Sequence, residues 1–390
     1  MELGLIQSTL RQSGLDGWLF YDHHRRDPIA YRVLTINPPM CTRRWFYLIP
    51  AEGGPSKLIH RVERHNLDGL PGQEVEYSTW KEQHEGLKKI LAGRKRIAMQ
   101  YSPLNNIPYV GLVDAGTIEL VRSIGVEVFS SADLVQLFEA RWSEDALTSH
   151  LEAGKVVHAA VRAGFAAIRD GVRSGKRISE YDVQQEMRRV FDAGGVVMDE
   201  GPVAAVNRNS ANPHYMPELE NCSLIGANDF VLLDVWGKMN RPGAVYFDIT
   251  WTGFVGAEVP RRYVEVFEVV KEARDAAVGF VQDALKSGRA VHGYEVDDVA
   301  REIITRHGYG PNFVHRTGHS IGEEVHGNGA NIDNFETRDT RPIIPRICFS
   351  IEPGVYLEEF GVRSEVNVFV EESSASVTGE IQAAIVPILG

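Results

Sequence analysis

The chain has 390 residues, and its hydrophobic fraction of 43% and charged fraction of 24% are ordinary for a globular protein with room for two domains. The formal net charge of −12 argues against nucleic acid as a partner, because phosphate binding requires a basic surface. No apolar run approaches the roughly 18 residues of a membrane-spanning helix, so we expect no membrane partner either.

The cysteines and the N-terminus bear on the cellular compartment. Cys41, Cys222 and Cys348 lie far apart and form no C-x-x-C pair. A sparse, odd number of cysteines is typical of a reducing compartment and argues against a disulfide framework or a cysteine-based zinc site. Residues 1–18 lack the basic and then apolar design of a secretory signal. We therefore expect a cytoplasmic protein.

Short strands and helices are predicted to alternate along residues 1–140, which is typical of an α/β domain. The predicted strands are 17–21, 45–49, 56–59 and 96–100, and the predicted helices are 2–13, 80–91 and 106–118. No catalytic cluster is found in this part. Ser143–Asp145 is typical of a helix N-cap and predicts a long helix that runs to about Ile168. The boundary before this helix predicts a second domain over residues 141–390.

The second part of the chain contains an internal repeat. Residues 174–183, SGKRISEYDV, are similar to residues 287–296, SGRAVHGYEV, at an offset of 113 residues. A helix is predicted after each copy, at 184–193 and at 297–307, and a long helix rich in Ala and Val precedes each one. Chance similarity of two helix starts is the alternative, but six positions agree in register. A single repetition of this length indicates duplicated halves of one domain and not a solenoid.

Each predicted half also contains a strand-turn-strand segment that carries two acidic residues. The acids are Asp234 and Asp248 in the first half and Glu352 and Glu365 in the second half. One acid within an apolar strand is more often a structural hydrogen-bonding group, since burial of a charge requires a partner. Four acids in duplicated hairpins favour one shared site, and they cannot converge without cations because like charges would force protonation. Oxygen ligands in this number suit Mn²⁺, Mg²⁺, Co²⁺ or Zn²⁺.

Histidines are concentrated near these acids. Residues 315–326, HRTGHSIGEEVH, contain His315, His319 and His326. A lone histidine is more often structural, whereas three histidines beside four buried acids indicate a site. The repeat offset of 113 residues places His326 within one position of His214, so we expect one histidine on each side of the acids.

The order Asp-Asp-His-Glu-Glu, the motif H-x-x-x-H-x-I-G-x-x-V-H and the motif E-P-G-V-Y are similar to those of metallopeptidase family M24. This family includes Xaa-Pro dipeptidases (prolidases), aminopeptidase P and methionine aminopeptidases. The resemblance covers residues 145–390 and implies an α+β pita-bread (creatinase/aminopeptidase-like) domain with a pseudo-twofold duplication at 141–390. It implies a creatinase/prolidase-like α/β domain at 1–140, on much weaker sequence evidence.

The resemblance also implies the roles of individual residues. Five residues would hold two divalent ions, namely Asp234, Asp248, His319, Glu352 and Glu365. Asp248 and Glu365 would bridge the ions, and the expected metal is manganese, with cobalt or zinc as alternatives. Glu352 would accept the proton of the attacking water. Four residues would contact the substrate, namely His214, His315, His326 and Arg363.

Two of these substrate-contacting histidines, His214 and His326, would bind the scissile carbonyl and the developing oxyanion. Arg363 would position the substrate and support the site, or it would form a salt bridge to a ligand carboxylate, and both roles are compatible. The implied activity is cleavage of Xaa-Pro dipeptides by a hydroxide that bridges the two ions. The implied partners are short proline-containing peptides and a second copy of the chain in a homodimer.

Several other functions remain open on this resemblance. Aminopeptidase P acts on longer peptides, and the same fold occurs in a lyase and in non-catalytic binding proteins. The binding proteins typically lose metal ligands, whereas all five are present here. Methionine aminopeptidases generally lack a domain like residues 1–140.

The sequence departs from the family pattern around the predicted ligands. The spacing between Asp234 and Asp248 is longer than usual, Trp251 replaces a common arginine, and Trp236 stands in the segment that often carries a tyrosine. The family usually has an acidic residue directly after the last histidine of the motif, and this sequence has Gly327 there. None of these changes removes a ligand, but we expect them to alter the wall of the substrate pocket.

Overall fold

Contacts within the computed structural model, which describes residues 1–390, divide the chain into the units Met1–Ala140 and Arg141–Gly390. The first unit is built on a six-stranded mixed sheet with the strand order β4-β3-β2-β1-β5-β6. Its helices and strands are α1 (Leu3–Gln12), β1 (Gly17–Asp22), α2 (Pro28–Leu34), β2 (Trp45–Pro50), β3 (Ser56–His60), β4 (Gln73–Tyr77), α3 (Trp80–Leu91), β5 (Arg96–Met99), α4 (Ala115–Ser123), β6 (Glu127–Ser130) and α5 (Ala132–Val135). Short 3-10 turns lie at Arg61–Glu63, Pro103–Asn105 and Pro108–Val110, and a π-helical turn lies at Gln136–Ala140.

All four strands predicted in the first unit are confirmed, with ends that differ by one residue at most. The helix predicted over residues 106–118 was wrong in position, because the chain forms a 3-10 turn at Pro108–Val110 and the helix α4 begins only at Ala115. The Asp114 carboxylate accepts a hydrogen bond from Thr117 N and caps this helix. The sheet also gains β4 and β6, whose sequences QEVEY and EVFS are too polar to stand out as strands.

The second unit contains four long helices and two central pairs of antiparallel strands. Its helices and strands are α6 (Glu144–Ser174), β7 (Ile178–Ser179), α7 (Glu180–Gly194), β8 (Val196–Val197), β9 (Val203–Val206), β10 (Leu224–Ile225), β11 (Phe230–Met239), β12 (Phe247–Phe254), α8 (Arg261–Lys286), α9 (Gly293–Arg306), β13 (Ser320–Ile321), β14 (Cys348–Ile351), β15 (Gly354–Tyr356), β16 (Gly361–Arg363), β17 (Val366–Val370), β18 (Ala375–Thr378) and β19 (Val386–Pro387). Two 3-10 turns lie at Asn207–Ala211 and Gly310–Asn312.

The two halves of the second unit repeat the same order of elements. Helices α7 and α9 begin 113 residues apart, and a capping box opens each one, at Ser179 in the first half and at His292 in the second half. In the first half β11 pairs with β12, and in the second half β14 pairs with β17, both antiparallel. Each pair is covered on one face by the helices of its own half. The observed spacing of the helices equals the spacing of the sequence repeat.

Alternation along β11 and β12 separates their side chains onto two faces. Leu233, Val235, Phe247 and Ile249 pack in one apolar cluster with α6 and α7. The residues between them, including Asp234, Asp248 and Thr250, therefore point to the opposite face, toward the second half. The two predicted acids of this hairpin share that inner face.

The side chain of Asn367 on β17 joins the two halves through the backbone of β12. Asn367 Nδ2 donates to Asp248 O at 2.6 Å, and Asp248 N donates to Asn367 Oδ1 at 3.2 Å. Glu365 N also donates to Thr250 O at 3.3 Å. These bonds satisfy buried backbone groups and fix the position of β12 against β17. No helix of the structure is both long enough and apolar enough to cross a membrane.

Burial of His150 makes the stability of the second unit sensitive to acid. The ring contacts Tyr246 O and Thr378 Oγ1, each at 2.7 Å, and burial lowers the pKa of His150 to about 4. An unfolded histidine has a pKa of about 6.5, so below that pH the unfolded chain binds the extra proton. Stability is therefore lost as the pH falls from about 6.5 toward 4.

We expect this histidine to remove about 2 kcal/mol of the free energy of unfolding between about pH 7.5 and pH 5. The His150→Gln variant should be less stable at neutral pH but should lose less stability on acidification. Urea unfolding at both pH values measures the difference, with the exposed His65→Gln as the control. An equal pH dependence in the wild type and in the His150→Gln variant would contradict this account.

Candidate metal centre

The five predicted ligands lie within strands or directly next to strand ends, and these strands bring them together. Asp234 and Asp248 lie within β11 and β12, His319 immediately precedes β13, Glu352 follows β14, and Glu365 immediately precedes β17. The possible ligand atoms of Asp248, His319 and Glu365 lie within 4.8 Å of one another, and all three residues are buried. His319 Nε2 lies 3.5 Å from Asp248 Oδ2 and 3.2 Å from Glu352 Oε1.

Asp234 joins this group through the Thr250 hydroxyl. Thr250 Oγ1 lies 2.9 Å from Asp234 Oδ1 and 2.8 Å from Glu365 Oε2, so it bridges a carboxylate of each half. Arg363 Nη2 donates to the second oxygen of Asp234, and Arg363 Nε donates to Thr250 Oγ1 at 2.9 Å. The salt bridge that the sequence suggested for Arg363 is therefore formed with Asp234.

The charges of this centre do not balance without further cations. Four carboxylates face one guanidinium and one imidazole, those of Arg363 and His319. Asp248 Oδ1 and Glu365 Oε1 are buried and have no hydrogen-bond partner. Such oxygens are costly to bury unless a proton or a cation is bound. The donor set of oxygens and one imidazole fits hard divalent cations.

The pKa values of Asp248 and Glu365, the two predicted bridging ligands, also indicate that the centre needs further positive charge. Burial raises the pKa of Asp248 to about 6, and the carboxylate of Asp234 adds to this effect. Burial and the repulsion of Asp248, Glu352 and Asp234 raise the pKa of Glu365 well above its usual range. Without a cation, the protein must hold protons at these carboxylates. A bound divalent cation would remove that requirement.

Local bonds orient the ring of His319. Its Nδ1 donates to Ser320 O at 3.1 Å, and this bond turns Nε2 toward the carboxylates. Gly318 lets the backbone just before His319 pass close to β14, since a Cβ on Gly318 would lie 1.9 Å from Ser350 O. Burial would lower the pKa of His319, but hydrogen bonds to Asp248 and Glu352 raise it to about 9.

Glu352 is held as a carboxylate. Burial would raise the pKa of Glu352, but the hydrogen bond from His319 and the charges of His319 and Arg363 bring it below its usual range. Ser350 Oγ donates to Glu352 Oε1 at 3.0 Å and fixes its orientation. An oriented, ionised carboxylate at the edge of the centre is able to accept a proton.

His315 lies beside the centre in a chain of hydrogen bonds. Arg363 Nη1 donates to the Tyr356 hydroxyl at 3.1 Å, and this hydroxyl lies 2.7 Å from His315 Nε2. His315 Nδ1 lies 2.6 Å from Arg316 O, which leaves Nε2 as the acceptor for Tyr356. Burial lowers the pKa of His315, which favours the neutral ring.

The remaining predicted histidines, His214 and His326, are exposed. The ring of His326 meets that of His319 edge to face, with centroids 4.4 Å apart. The charge of His319 is the main cause that lowers the pKa of His326, and the charge of His214 also contributes. The structure thus brings His326 next to the predicted ligand His319. His214 is near enough for its charge to lower the pKa of His326.

Thr250, Ser350, Tyr356 and Asn367 belong to the site but were not selected from the sequence. Thr250 follows Asp248 by two residues and Tyr356 closes the E-P-G-V-Y motif, so alternation of the strand faces could have identified both. The expectation that Trp251 alters the pocket wall was wrong. Trp251 packs on the helix-covered face of β12, with its ring centroid 6.0 Å from that of His158.

Known proteins resemble this chain in sequence and in fold. The model of metallopeptidase family M24 matches residues 149–372. An Xaa-Pro dipeptidase of Lactobacillus delbrueckii subsp. lactis is 33% identical over 59% of this chain and 56% of its own length. An Xaa-Pro dipeptidase of Pyrococcus furiosus is 31% identical over 57% of this chain and 58% of its own length. The matched region thus spans just over half the length of these relatives.

Solved structures cover nearly the whole chain. The dipeptidase PepE from Mycobacterium ulcerans has a TM-score of 0.73 and 21% identity over 99% of this chain and 97% of that one. The prolidase from Pyrococcus horikoshii has a TM-score of 0.66 and 20% identity over 98% of each chain. These likenesses establish the fold, and the predicted pairing of an α/β unit with a pita-bread unit is confirmed.

The Thr250 hydroxyl provides a test of how the predicted ligands are oriented. We expect Thr250→Val to weaken divalent metal binding about 10- to 100-fold, because it frees two carboxylates that the hydroxyl orients. Thr250→Ser keeps the hydroxyl and should stay within a few-fold of the wild type. Isothermal titration calorimetry with Mn²⁺ measures the dissociation constants of the wild type and both variants. Equal affinity in the Val and Ser variants would show that the hydroxyl does not support the site.

Proposed function

Because this chain belongs to metallopeptidase family M24, we propose that it is a two-metal hydrolase that cleaves Xaa-Pro dipeptides at the bond before proline. The observation that carries the proposal is the buried convergence of Asp248, His319 and Glu365, with one unpaired oxygen on each carboxylate. The identity of 31–33% to the two Xaa-Pro dipeptidases supports the choice of substrate.

The proposed ligands are the five residues that the sequence indicated, namely Asp234, Asp248, His319, Glu352 and Glu365. Bound divalent ions would supply a water of lowered pKa and would polarise the scissile carbonyl. We propose Mn²⁺ as the native ion, with Co²⁺ or Zn²⁺ as substitutes, since the donor set is mainly carboxylate. The proposal includes a cytoplasmic homodimer, with residues 1–140 as a creatinase/prolidase-like domain.

Proton transfer in this proposal belongs to Glu352. Its low pKa keeps Oε1 and Oε2 unprotonated before the reaction, so it can take the proton of the attacking water and deliver it to the proline nitrogen. Ser350 and His319 hold this carboxylate in one orientation. The orientation matters because proton transfer requires hydrogen-bond distance on both sides of the step.

Substrate binding in this proposal uses the histidines around the centre. His326 is exposed next to His319 and would donate to the scissile carbonyl and to the oxyanion that forms from it, and His214 would assist from the first half. His315 would line the proline pocket. Arg363 already donates from all three of its nitrogens, so we assign it mainly to orienting Asp234 and Tyr356.

A retained ligand set argues against the non-catalytic alternative. A binding protein would have no need to bury four carboxylates at one place, since their mutual repulsion destabilises the fold. The choice between the dipeptidase and aminopeptidase P depends on whether the pocket accepts residues after proline. The two Xaa-Pro dipeptidases that resemble this chain in sequence favour the dipeptidase.

A substrate panel tests the proposed activity. We expect the Mn²⁺-loaded protein to cleave Ala-Pro with a kcat/KM at least about 10-fold above that for Ala-Ala, because the proposed pocket beside His315 would take up the proline ring. Chelation should abolish cleavage, and added Mn²⁺ should restore it. A higher kcat/KM for Ala-Pro-Ala than for Ala-Pro would identify aminopeptidase P instead. Equal cleavage of Ala-Ala would reject proline specificity, and full activity after exhaustive chelation would reject the metal mechanism.

A further inference from the structure

The inner-face side chains of β11 form a row that begins at the candidate metal centre. Asp234, Trp236 and Lys238 alternate with residues that pack against α6 and α7, so all three lie on the inner face. Trp236 is paired with Asp248 across the β11–β12 ladder. Neighbours on one face of a strand are about 7 Å apart. Directly opposed residues have Cβ atoms about 5 Å apart, so the side chain of Trp236 begins next to that of Asp248.

Packing on both sides holds the indole of Trp236 in place. A Cβ on Gly201 would lie 2.7 Å from Trp236 Cη2 and Cζ2, so the tip of the indole lies against the Gly201 backbone and a larger residue would displace it. The indole also packs against the apolar cluster that contains Tyr246 and Ile321. Trp236 is not fully buried, so part of this firmly packed side chain stays accessible.

Polar groups follow Trp236 farther along the same face. Lys238 Nζ lies 5.0 Å from the centroid of the Tyr246 ring, and the Tyr246 hydroxyl donates to Asp199 Oδ2 at 3.3 Å. Lys238 is four residues beyond Asp234, or about 14 Å along the strand. A side chain that starts at the centre reaches Trp236 well before it reaches these polar groups.

The other end of the centre is occupied by a different set of residues. Arg363 contacts Thr250, which is paired with Asp234, and the hydrogen bonds continue through Tyr356 to His315. Trp236 stands at the Asp248 end of the same ladder. If the proline ring binds toward His315, the residue before proline extends toward Trp236.

We infer that the accessible part of the Trp236 side chain binds the side chain of the residue before the scissile bond and makes the enzyme prefer large apolar residues there. This inference rests on the proposed function and specifies its substrate class as Xaa-Pro dipeptides in which Xaa is Leu, Met or Phe. Covering the indole with an apolar side chain removes apolar surface of both groups from water. Gly-Pro and Ala-Pro leave most of that surface uncovered.

The test compares kcat/KM for Leu-Pro and Ala-Pro in the wild type and in Trp236→Ala, both loaded with Mn²⁺ to a measured metal content. We expect the wild type to prefer Leu-Pro about 10- to 100-fold, which is within the range that even one methylene group can give in an apolar pocket. Trp236→Ala should lower this ratio about 10-fold, and Trp236→Phe should lower it less. If Trp236→Ala does not fold, Trp236→Phe alone decides, because the proposal requires the ratio to fall.

Trp251→Phe is the matched control, since Trp251 lies on the opposite face of the sheet and should leave the ratio unchanged. A ratio that rises in the Trp236 variants would mean that the indole excludes large side chains, and an unchanged ratio would mean that it does not contact them. Either result overturns the inference. A change in the preference for proline over alanine after the scissile bond, with a constant Leu-Pro to Ala-Pro ratio, would also overturn it. No cleavage of any Xaa-Pro dipeptide by the loaded wild type would instead reject the proposed function.

Discussion

The second unit is organised around the burial of four carboxylates within one small volume. Asp234, Asp248, Glu352 and Glu365 come from two sheets, and the protein supplies only Arg363 and His319 as counter-charges. This arrangement is costly, because burial and the repulsion of neighbouring carboxylates raise the pKa of Asp248 and Glu365. One buried oxygen of each also has no hydrogen-bond partner. A bound divalent cation would offset this cost. Membership in a metallopeptidase family accords with this chemistry.

The duplicated architecture explains how the carboxylates meet. Each half provides one antiparallel strand pair whose outer face is covered by two helices, and the two inner faces turn toward each other. Asn367 binds both backbone groups of Asp248, and Thr250 connects carboxylates of the two halves. The predicted ligands thus lie within strands or directly next to a strand end, which limits their movement. The same regular alternation that buries Leu233 and Val235 beneath the helices presents Trp236 beside the centre.

Sequence patterns predicted the parts of this structure that depend on local physical chemistry. The strands of residues 17–59, the helix at Trp80–Leu91 and the duplicated helix starts were predicted from apolar periodicity and capping residues. The acids stood out because they interrupt apolar strands. The contacts of Thr250 with Glu365 and of His315 with Tyr356 join residues 115 and 41 positions apart, so no local pattern reveals them. Trp236 and Trp251 looked alike in the sequence, and only the pairing of β11 with β12 placed them on opposite faces.

The central claim is that this carboxylate cluster is a site for two divalent ions. Anomalous diffraction from crystals grown with Mn²⁺, recorded on both sides of the manganese absorption edge, locates such ions directly. The account predicts two anomalous peaks inside the cluster, both within coordination distance, about 2 to 2.3 Å, of carboxylate oxygens of Asp248 and Glu365. One peak should also lie close to Asp234, and the other close to His319 and Glu352. No peak in the cluster, or manganese bound only elsewhere on the protein, would contradict the account.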